Sequence, residues 1–231
     1  MSEYASIAAE GGDFRAYVSR PAAARAPGLV VIQEIFGVNK VMRDLADDYA
    51  AAGYLAVCPD LFWRIEPGID ITDQSPAEWE KAFSLFKAFD VDKGVEDIAA
   101  TIAKVRADPA CSGKVGAVGF CLGGLLAFLT ATRTDADASA SYYGVGLENV
   151  AGEAAKLSRP ILLHIAEEDS FVPKAAQDVI VAALKDHPLV EIHTYPGRNH
   201  AFAREGGEHF HEADARLARE RTLAFLARHL A

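Results

Sequence analysis

Short apolar runs alternate with amphipathic helical patterns along almost the whole chain, and this alternation restricts the fold more than any other feature. The apolar runs predict buried strands at residues 29–33, 54–58, 115–118, 138–143, 161–165 and 190–195. Helical periodicity predicts helices at about 40–52, 76–89, 95–107, 122–132, 174–185 and 208–230. Residues 14–19 alternate between apolar and polar side chains, which indicates an edge strand.

Strands that are apolar throughout and separated by helices are typical of a mostly parallel sheet with helices on both faces. The sequence therefore predicts an α/β fold, and a length of 231 residues fits one domain spanning residues 1–231. In sheets of this kind the active groups gather at the carboxyl ends of the strands. We therefore expect the residues that carry chemistry to follow the apolar runs directly.

Net charge and cysteine content disfavour several kinds of partner. A formal net charge of −10 repels nucleic-acid backbones and anionic lipid, so we expect neither as a partner. Three cysteines, and an N-terminus without a basic start and an apolar run, predict a cytoplasmic protein without disulfides. An uncharged stretch at residues 115–132 is long enough for a membrane helix, but its four glycines favour a buried strand, a turn and a buried helix.

The predicted strand at 115–118 leads into Gly-Phe-Cys-Leu-Gly-Gly at residues 119–124, and an apolar helix follows. This is a Gly-x-nucleophile-x-Gly elbow with Cys121 where serine is usual. Gly119 and Gly123 stand where the strand and the helix must approach each other closely. The Leu122 N–H can then stabilise an oxyanion, and the helix N-terminus favours a thiolate over a thiol. A buried structural cysteine is the alternative interpretation.

An elbow nucleophile needs a carboxylate and a histidine, which follow it along the chain in that order. Asp169 follows the predicted strand at 161–165 and is the candidate acid. Glu167 and Glu168 are its local competitors, and a helix cap is its alternative role. His200 lies in a glycine-containing loop after the last predicted strand, where it can accept the proton of Cys121 and later activate water.

The other cysteines and histidines lack such a setting. Cys58 ends a predicted strand and Cys111 lies in a predicted loop, so we expect both to be structural or incidental. The histidines that fit the role of base less well are His164, His187, His193, His209 and His211. No set of histidines, cysteines and carboxylates has a recognisable zinc spacing, so the sequence predicts no metal site.

Glu34 directly follows the predicted strand at 29–33, where a buried charge needs a partner or water. This is the position of the second oxyanion loop of such a fold, and the Ile35 N–H is the candidate donor. Glu34 is therefore a candidate to hold the Cys121 thiol before substrate arrives. Its alternative role is to cap the helix at 40–52, for which Asn39 is better placed.

Taken together, these segments resemble the dienelactone hydrolase, or carboxymethylenebutenolidase, family of the α/β-hydrolase superfamily. The resemblance runs from Gln-Glu-Ile-Phe-Gly at 33–37 to residues 220–226 and includes segments 113–116, 119–124, 142–147, 168–173 and 200–204. It implies a cofactor-free, largely monomeric hydrolase of a small lactone or ester, on the chlorocatechol degradation route. The triad of the family falls on Cys121, Asp169 and His200, and its acidic switch residue falls on Glu34.

The resemblance also implies two arginines that bind a carboxylate of the substrate. Arg204 matches one of them, whereas the position of the second falls on Trp79, and two aromatic positions of the family fall on Phe83 and Phe86. The spacing of Trp79, Phe83 and Phe86 places them on one helix face, as a core stripe or as a pocket wall. Phe36 is a further candidate substrate contact. Loss of one charged hydrogen bond would weaken carboxylate binding about tenfold to a hundredfold.

Two other functional classes remain open from the residues alone. Cysteine-elbow amidotransferases and the related redox chaperone–deglycase proteins also pair a Gly-x-Cys-x-Gly elbow with a glutamate at a strand end. Amidotransferases place His-x-Glu near the chain end, so Ala201 and Phe202 after His200 disfavour that class. The third class is a non-catalytic binding module on a hydrolase scaffold, which the complete set of nucleophile, acid, base and oxyanion loop disfavours.

Overall fold

The computed structural model describes residues 2–231, over which eight strands and six α-helices alternate much as the sequence predicts. The strands are β1 (Ser2–Ala9), β2 (Gly12–Ser19), β3 (Ala26–Ile32), β4 (Leu55–Pro59), β5 (Cys111–Phe120), β6 (Ala138–Tyr142), β7 (Ile161–Ala166) and β8 (Val190–Tyr195). The helices are α1 (Lys40–Ala51), α2 (Pro76–Ala88), α3 (Val91–Arg106), α4 (Leu122–Arg133), α5 (Lys174–Leu184) and α6 (Glu212–Leu230). Two short 3-10 helices, Leu147–Asn149 and Ala151–Lys156, lie between β6 and β7.

The strands follow the order β1-β2-β4-β3-β5-β6-β7-β8 in the sheet. Strand β2 is antiparallel to both β1 and β4, whereas the pairs β3–β4, β6–β7 and β7–β8 are parallel. This arrangement confirms the predicted α/β fold with a mostly parallel sheet. The predicted edge strand at 14–19 is wrong in its position, because β2 has a partner on each side. The edge strand at this end of the sheet is β1, which the sequence did not reveal because only Ile7 of that strand is buried.

The chain divides into two compact units, residues up to Ala117 and residues from Val118 onward. In the first unit, α1 packs on β4 and β2, and α3 packs on β1 and β3. Asn39 caps α1 by accepting the Met42 N–H at 3.1 Å, as expected. Helix α3 begins four residues before its predicted start, because Asp90 caps it by accepting the Lys93 N–H at 3.1 Å.

An ion pair with a buried carboxylate holds the segment that connects β4 to α2. The side chain of Asp97 is fully buried in α3 and accepts two hydrogen bonds from the Arg64 guanidinium, at 2.8 and 3.0 Å. It also accepts the indole N–H of Trp63 at 2.8 Å. Because a carboxylate can be buried only with such partners, these contacts tie the connecting segment firmly to α3.

Two boundaries correct the sequence-based predictions, and the burial of α4 explains a third feature of the sequence. Cys111 is the first residue of β5 and is buried, so the predicted loop at this residue is wrong. All residues of α4 from Leu122 to Thr132 are buried, which explains the uncharged stretch. Helix α6 begins four residues after its predicted start, because His211 caps it by accepting the Asp214 N–H. In the described part of the chain, no helix combines the length and apolarity needed to cross a membrane.

Candidate active site

Cys121 occupies a strained turn between β5 and α4. Its backbone angles are φ 58° and ψ −115°, a region that residues other than glycine rarely adopt. A Cβ atom at residue 119 would lie 1.9 Å from the carbonyl oxygen of Gly123, and one at residue 124 would lie 2.4 Å from that of Tyr142. The turn therefore requires glycine at both positions, and it has the geometry of the predicted nucleophile elbow.

Backbone hydrogen bonds fix the position of Cys121 in this turn. Its N–H donates to the Tyr142 carbonyl at 3.1 Å, and its carbonyl accepts the Gly124 N–H at 2.9 Å and the Val145 N–H at 3.3 Å. Leu122 is the first residue of α4, and the first N–H groups of a helix have no acceptor within the helix. The Leu122 N–H beside Cys121 therefore suits the oxyanion role predicted for it.

Asp169 and His200 follow neighbouring strands and form a hydrogen-bonded pair. Asp169 comes after β7 and His200 after β8, and the His200 Nδ1–H donates to the Asp169 carboxylate, 2.9 Å from Oδ2 and 3.1 Å from Oδ1. The same carboxylate accepts the Phe171 N–H at 2.8 Å and the Val172 N–H at 3.0 Å. The N-cap of α5 is Pro173, so Asp169 does not cap that helix.

The electrostatic environment of His200 links it to Cys121 as well as to Asp169. Burial lowers the pKa of His200, but the charge of Cys121 and hydrogen bonds with Asp169 and Cys121 outweigh burial and raise this pKa to about 10. The side chains of His200 and Asp169, which form this ion pair, are almost fully buried. The structure therefore brings the three predicted residues together, with the His200 ring in hydrogen-bonding contact with both Cys121 and Asp169.

In the first unit, the loop after β3 is buried and held in place by hydrogen bonds. Glu34, Ile35 and Phe36 are each at most 5% exposed. The Gln33 side chain donates to the Glu34 carbonyl at 3.3 Å, and the Ile71 N–H donates to the Phe36 carbonyl at 3.2 Å. These contacts fix the segment in which we predicted the acidic switch residue and the second oxyanion donor. Both roles stay predictions.

The aromatic residues of α2 do not form a core stripe. The core-facing residues of this helix are Ala82 and Leu85. Phe83 is 45% exposed, and Trp79 and Phe86 are only partly buried. The Trp79 ring stacks on Phe83 with centroids 5.4 Å apart and meets the Phe36 ring edge-on at 5.1 Å. This partial exposure contradicts the core stripe, and the alternative of a pocket wall stays a prediction.

Arg204 lies four residues after His200 and is partly buried. Its backbone N–H donates to the Ala201 carbonyl at 2.9 Å, which closes a turn directly after His200. Its predicted contact with a substrate carboxylate stays a prediction. Among the residues that the structure describes, no group of three or more histidine, cysteine and acidic side chains could hold a metal ion.

Comparison with known proteins decides the family. Residues 14–230 match the sequence model of the dienelactone hydrolase family. The chain belongs to this family. A protein of Azospirillum brasilense is 52% identical over the full length of both chains, and the carboxymethylenebutenolidase of Pseudomonas putida is 42% identical over 94% of this chain and 92% of its own. A solved structure from Klebsiella pneumoniae subsp. pneumoniae has a TM-score of 0.86 at 27% identity and covers 98% of both chains.

As a member of the dienelactone hydrolase family, the protein is a hydrolase of ester or lactone bonds. Several residues that shape its site escaped the sequence analysis. The rings of Tyr143 and Phe171 meet His200 edge-on, with centroids 5.0 and 4.9 Å away. Tyr143 adopts a positive φ of 39°, for which the sequence carries no signal. In the sequence, the only sign of a role for Phe171 is its position two residues after Asp169.

Gln177 is a second missed residue, and here a signal was present. Its side-chain amide donates to the Ala166 carbonyl at 3.1 Å and to the Val172 carbonyl at 2.8 Å, which closes the loop that carries Asp169. Gln177 shares the buried face of α5 with Ile180. A polar residue within an apolar helix stripe needs a buried partner, so its position already indicated such a contact.

His164 is buried within β7, and its hydrogen-bond partners are residues other than Cys121, Asp169 and His200. Its ring nitrogens lie 2.8 Å from the Tyr195 hydroxyl and 2.9 Å from the Thr222 hydroxyl. Burial first, and then the charges of His193 and Arg221, hold the pKa of His164 well below its usual value. His164 is therefore a neutral structural residue, in accord with its position inside a strand.

Proposed function

We propose that this member of the dienelactone hydrolase family is a cysteine-dependent hydrolase of small lactones and esters. The favoured substrate is dienelactone, 4-carboxymethylenebut-2-en-4-olide, and the product is maleylacetate. The proposal depends mainly on the surroundings of the His200 imidazole. The ring hydrogen-bonds with both Asp169 and Cys121, and its pKa is raised to about 10. The name carboxymethylenebutenolidase of the Pseudomonas putida relative supports the choice of substrate.

In the first half of the reaction, the Cys121 thiolate attacks the lactone carbonyl carbon. A carbon–sulfur bond forms, and the carbonyl electrons move to oxygen as an oxyanion. The Leu122 N–H is the candidate donor to this oxyanion, and the Ile35 N–H is the second donor predicted from the sequence. Collapse of this intermediate breaks the ring carbon–oxygen bond. The enolate that leaves takes the proton of the His200 imidazolium, and an acyl-thioester remains on Cys121.

In the second half, neutral His200 accepts a proton from water while the water oxygen attacks the thioester carbonyl. The carbon–sulfur bond breaks, the Cys121 thiolate is regenerated, and the product acid loses its proton to solvent. His200 is again an imidazolium beside the thiolate. Asp169 holds the ring in place and stabilises its charged form in both halves, as the acid of a triad does.

Glu34 is assigned the part of the acidic switch that the resemblance implies. A carboxylate that is 3% exposed requires compensation, so the arrival of a charged substrate can change its surroundings strongly. Formation of the thiolate in response to substrate would also protect Cys121 from oxidation, because the thiolate is the form that is oxidised.

The proposed substrate contacts are one cation and a group of aromatic side chains, each assigned from the sequence. Arg204 is the cation that pairs with a substrate carboxylate. Trp79 stands where the resemblance implies a second arginine, and its stacking on partly exposed Phe83 supports an apolar wall at that side. We therefore expect neutral aryl esters to be substrates beside dienelactone, and carboxylate-bearing substrates to bind less tightly than they would with two arginines.

Replacement of the nucleophile tests the proposal. Cys121→Ala should abolish hydrolysis of both dienelactone and a neutral aryl ester such as 4-nitrophenyl acetate, because it removes the thiol that hydrogen-bonds with His200. Steady-state rates and melting temperatures of both proteins give the readout. The matched control is Cys111→Ala, which removes a buried thiol at the start of β5 and should leave turnover near the wild-type value.

Near-normal turnover in Cys121→Ala would remove this residue from the mechanism. If the wild-type protein turned over glutamine or glyoxal instead of esters, the amidotransferase or deglycase class would replace the hydrolase. A thiol inert toward iodoacetamide, together with no esterase activity, would support a binding module.

A further inference from the structure

The side chain of Asn199 joins the two loops that carry the proposed acid and base. Its Oδ1 accepts the Ser170 N–H at 2.9 Å and the His200 N–H at 2.6 Å. Both partners are backbone donors, so the oxygen of the amide, and not its nitrogen, must lie at this point. One atom therefore holds both the residue after Asp169 and the backbone of His200.

This contact extends the pairing of β7 with β8 beyond the ends of the two strands. Past the strand ends, the Glu168 N–H donates to the Arg198 carbonyl at 2.9 Å. Gly197, the residue before Arg198, has a positive φ of 69°. The next contact between the two loops is made by the Asn199 side chain with the Ser170 N–H, alongside the Asp169–His200 pair. A side chain thus supplies the acceptor that a strand carbonyl would otherwise provide.

The loop of His200 needs such a restraint. Ala201, the next residue, has a φ of 59°, a left-handed conformation that disfavours residues with a Cβ atom. The bond from the His200 Nδ1–H to Asp169 Oδ2 is 2.9 Å long, so a shift of the loop by 1 Å would break it. Relaxation of the backbone at Ala201 would move His200 in this way unless another contact opposed it.

We propose that Asn199 is a positioning residue of this hydrolase, whose acceptor oxygen keeps His200 in register with Asp169 and Cys121. The inference rests on the proposed function. Its chemical requirement is specific, because the side chain must be short and must accept two N–H groups at one point. Aspartate meets that requirement and adds a negative charge near His200, whereas alanine and leucine do not meet it.

The test compares Asn199→Ala, Asn199→Leu and Asn199→Asp with the wild-type protein. Each rate is expressed per active thiol, counted by iodoacetamide labelling. We expect alanine and leucine to lower kcat about 10- to 100-fold while KM changes less than about threefold, because a misplaced base slows the chemical step and not binding. Asn199→Asp should restore most of kcat and move the alkaline limb of the kcat/KM profile to higher pH, because its charge stabilises the imidazolium.

The matched control is Asn149→Ala, which removes an exposed asparagine of the same unit whose amide donates to the Gly146 carbonyl at 3.3 Å. It should keep the wild-type kcat. A spectroscopic readout is the NMR signal of the proton between His200 and Asp169, which should weaken in Asn199→Ala and persist in Asn199→Asp.

A purely structural role would lower the melting temperature but leave kcat per active thiol unchanged, and that result would overturn the inference. Failure of Asn199→Asp to recover kcat would overturn it too, because the acceptor would then not be the feature that matters. Turnover retained in Cys121→Ala would instead overturn the proposed function, whatever the Asn199 variants show, so the two failures are distinguishable.

Discussion

The contact between Gly119 and Gly123 makes Gly119→Ala the sharpest test of the elbow at Cys121. The added Cβ would lie 1.9 Å from the Gly123 carbonyl oxygen, and real Cβ contacts essentially never fall below 3.0 Å. The end of β5 and the start of α4 would therefore have to separate by about 1.1 Å. The clashing atoms belong to the backbone, so no side-chain rotation can relieve the contact.

That separation would displace Cys121 relative to His200. A misplacement of about 1 Å at reacting groups lowers kcat on the order of 100-fold. Forcing an extra methyl group into a packed site also destabilises a protein by about 1–3 kcal/mol. For a chain of this length, such a loss lowers the melting temperature by about 2–12 °C. We therefore expect a folded protein that hydrolyses esters slowly.

The assay measures kcat for a neutral aryl ester, the rate of alkylation of Cys121 and the melting temperature. The control is Gly152→Ala, because a Cβ at that residue would meet nothing within 4 Å and its φ is not positive. It should retain both kcat and melting temperature. If Gly119→Ala kept full kcat, the close approach of strand and helix would not matter to the nucleophile, and the elbow argument would be wrong.

Two further variants test the acid and the pocket. Because the raised pKa keeps His200 protonated up to about pH 10, kcat/KM should stay constant up to that pH and fall above it. Asp169→Asn should lower kcat by on the order of 10²–10⁴-fold and move the alkaline limb of the kcat/KM profile to lower pH. An alkaline limb that did not move would exclude Asp169 as the charge partner of His200. Trp79→Arg should lower KM for dienelactone about tenfold to a hundredfold relative to a neutral aryl ester, because it adds a charged hydrogen bond. The control is Ser84→Arg at an exposed position of α2, and an equal effect of both variants would contradict the pocket wall.

The grouping of Cys121, Asp169 and His200 could be predicted because each of them follows a strand with a clear apolar pattern in the sequence. Cys121 lies between an apolar run and an apolar helix, and Asp169 and His200 follow the last two predicted strands. Parallel strands put their carboxyl ends at one edge of the sheet, so order along the chain was enough to group these residues. Strand β1 was missed because most of its side chains are exposed and its apolar pattern is weak.

The supporting contacts could not be predicted in the same way. The hydrogen bonds of Asn199 depend on how far two loops lie apart, and neither loop has a periodic pattern. The start of α6 was misplaced because residues 208–211 are compatible with a helix, and only the capping contact of His211 shows where the helix begins. Contacts made by single side chains between loops thus mark the limit of sequence-based prediction.

Strained backbone conformations at the site limit the free energy of unfolding that this protein can reach. Cys121, Tyr143 and Ala201 all hold positive φ angles, and all three adjoin or contact His200. Each such residue costs about 1–3 kcal/mol, against a total folding free energy of about 5–15 kcal/mol for a typical protein. Selection for heat resistance alone would favour substitutions that relax these angles, and the relaxed proteins would survive longer while they hydrolysed less.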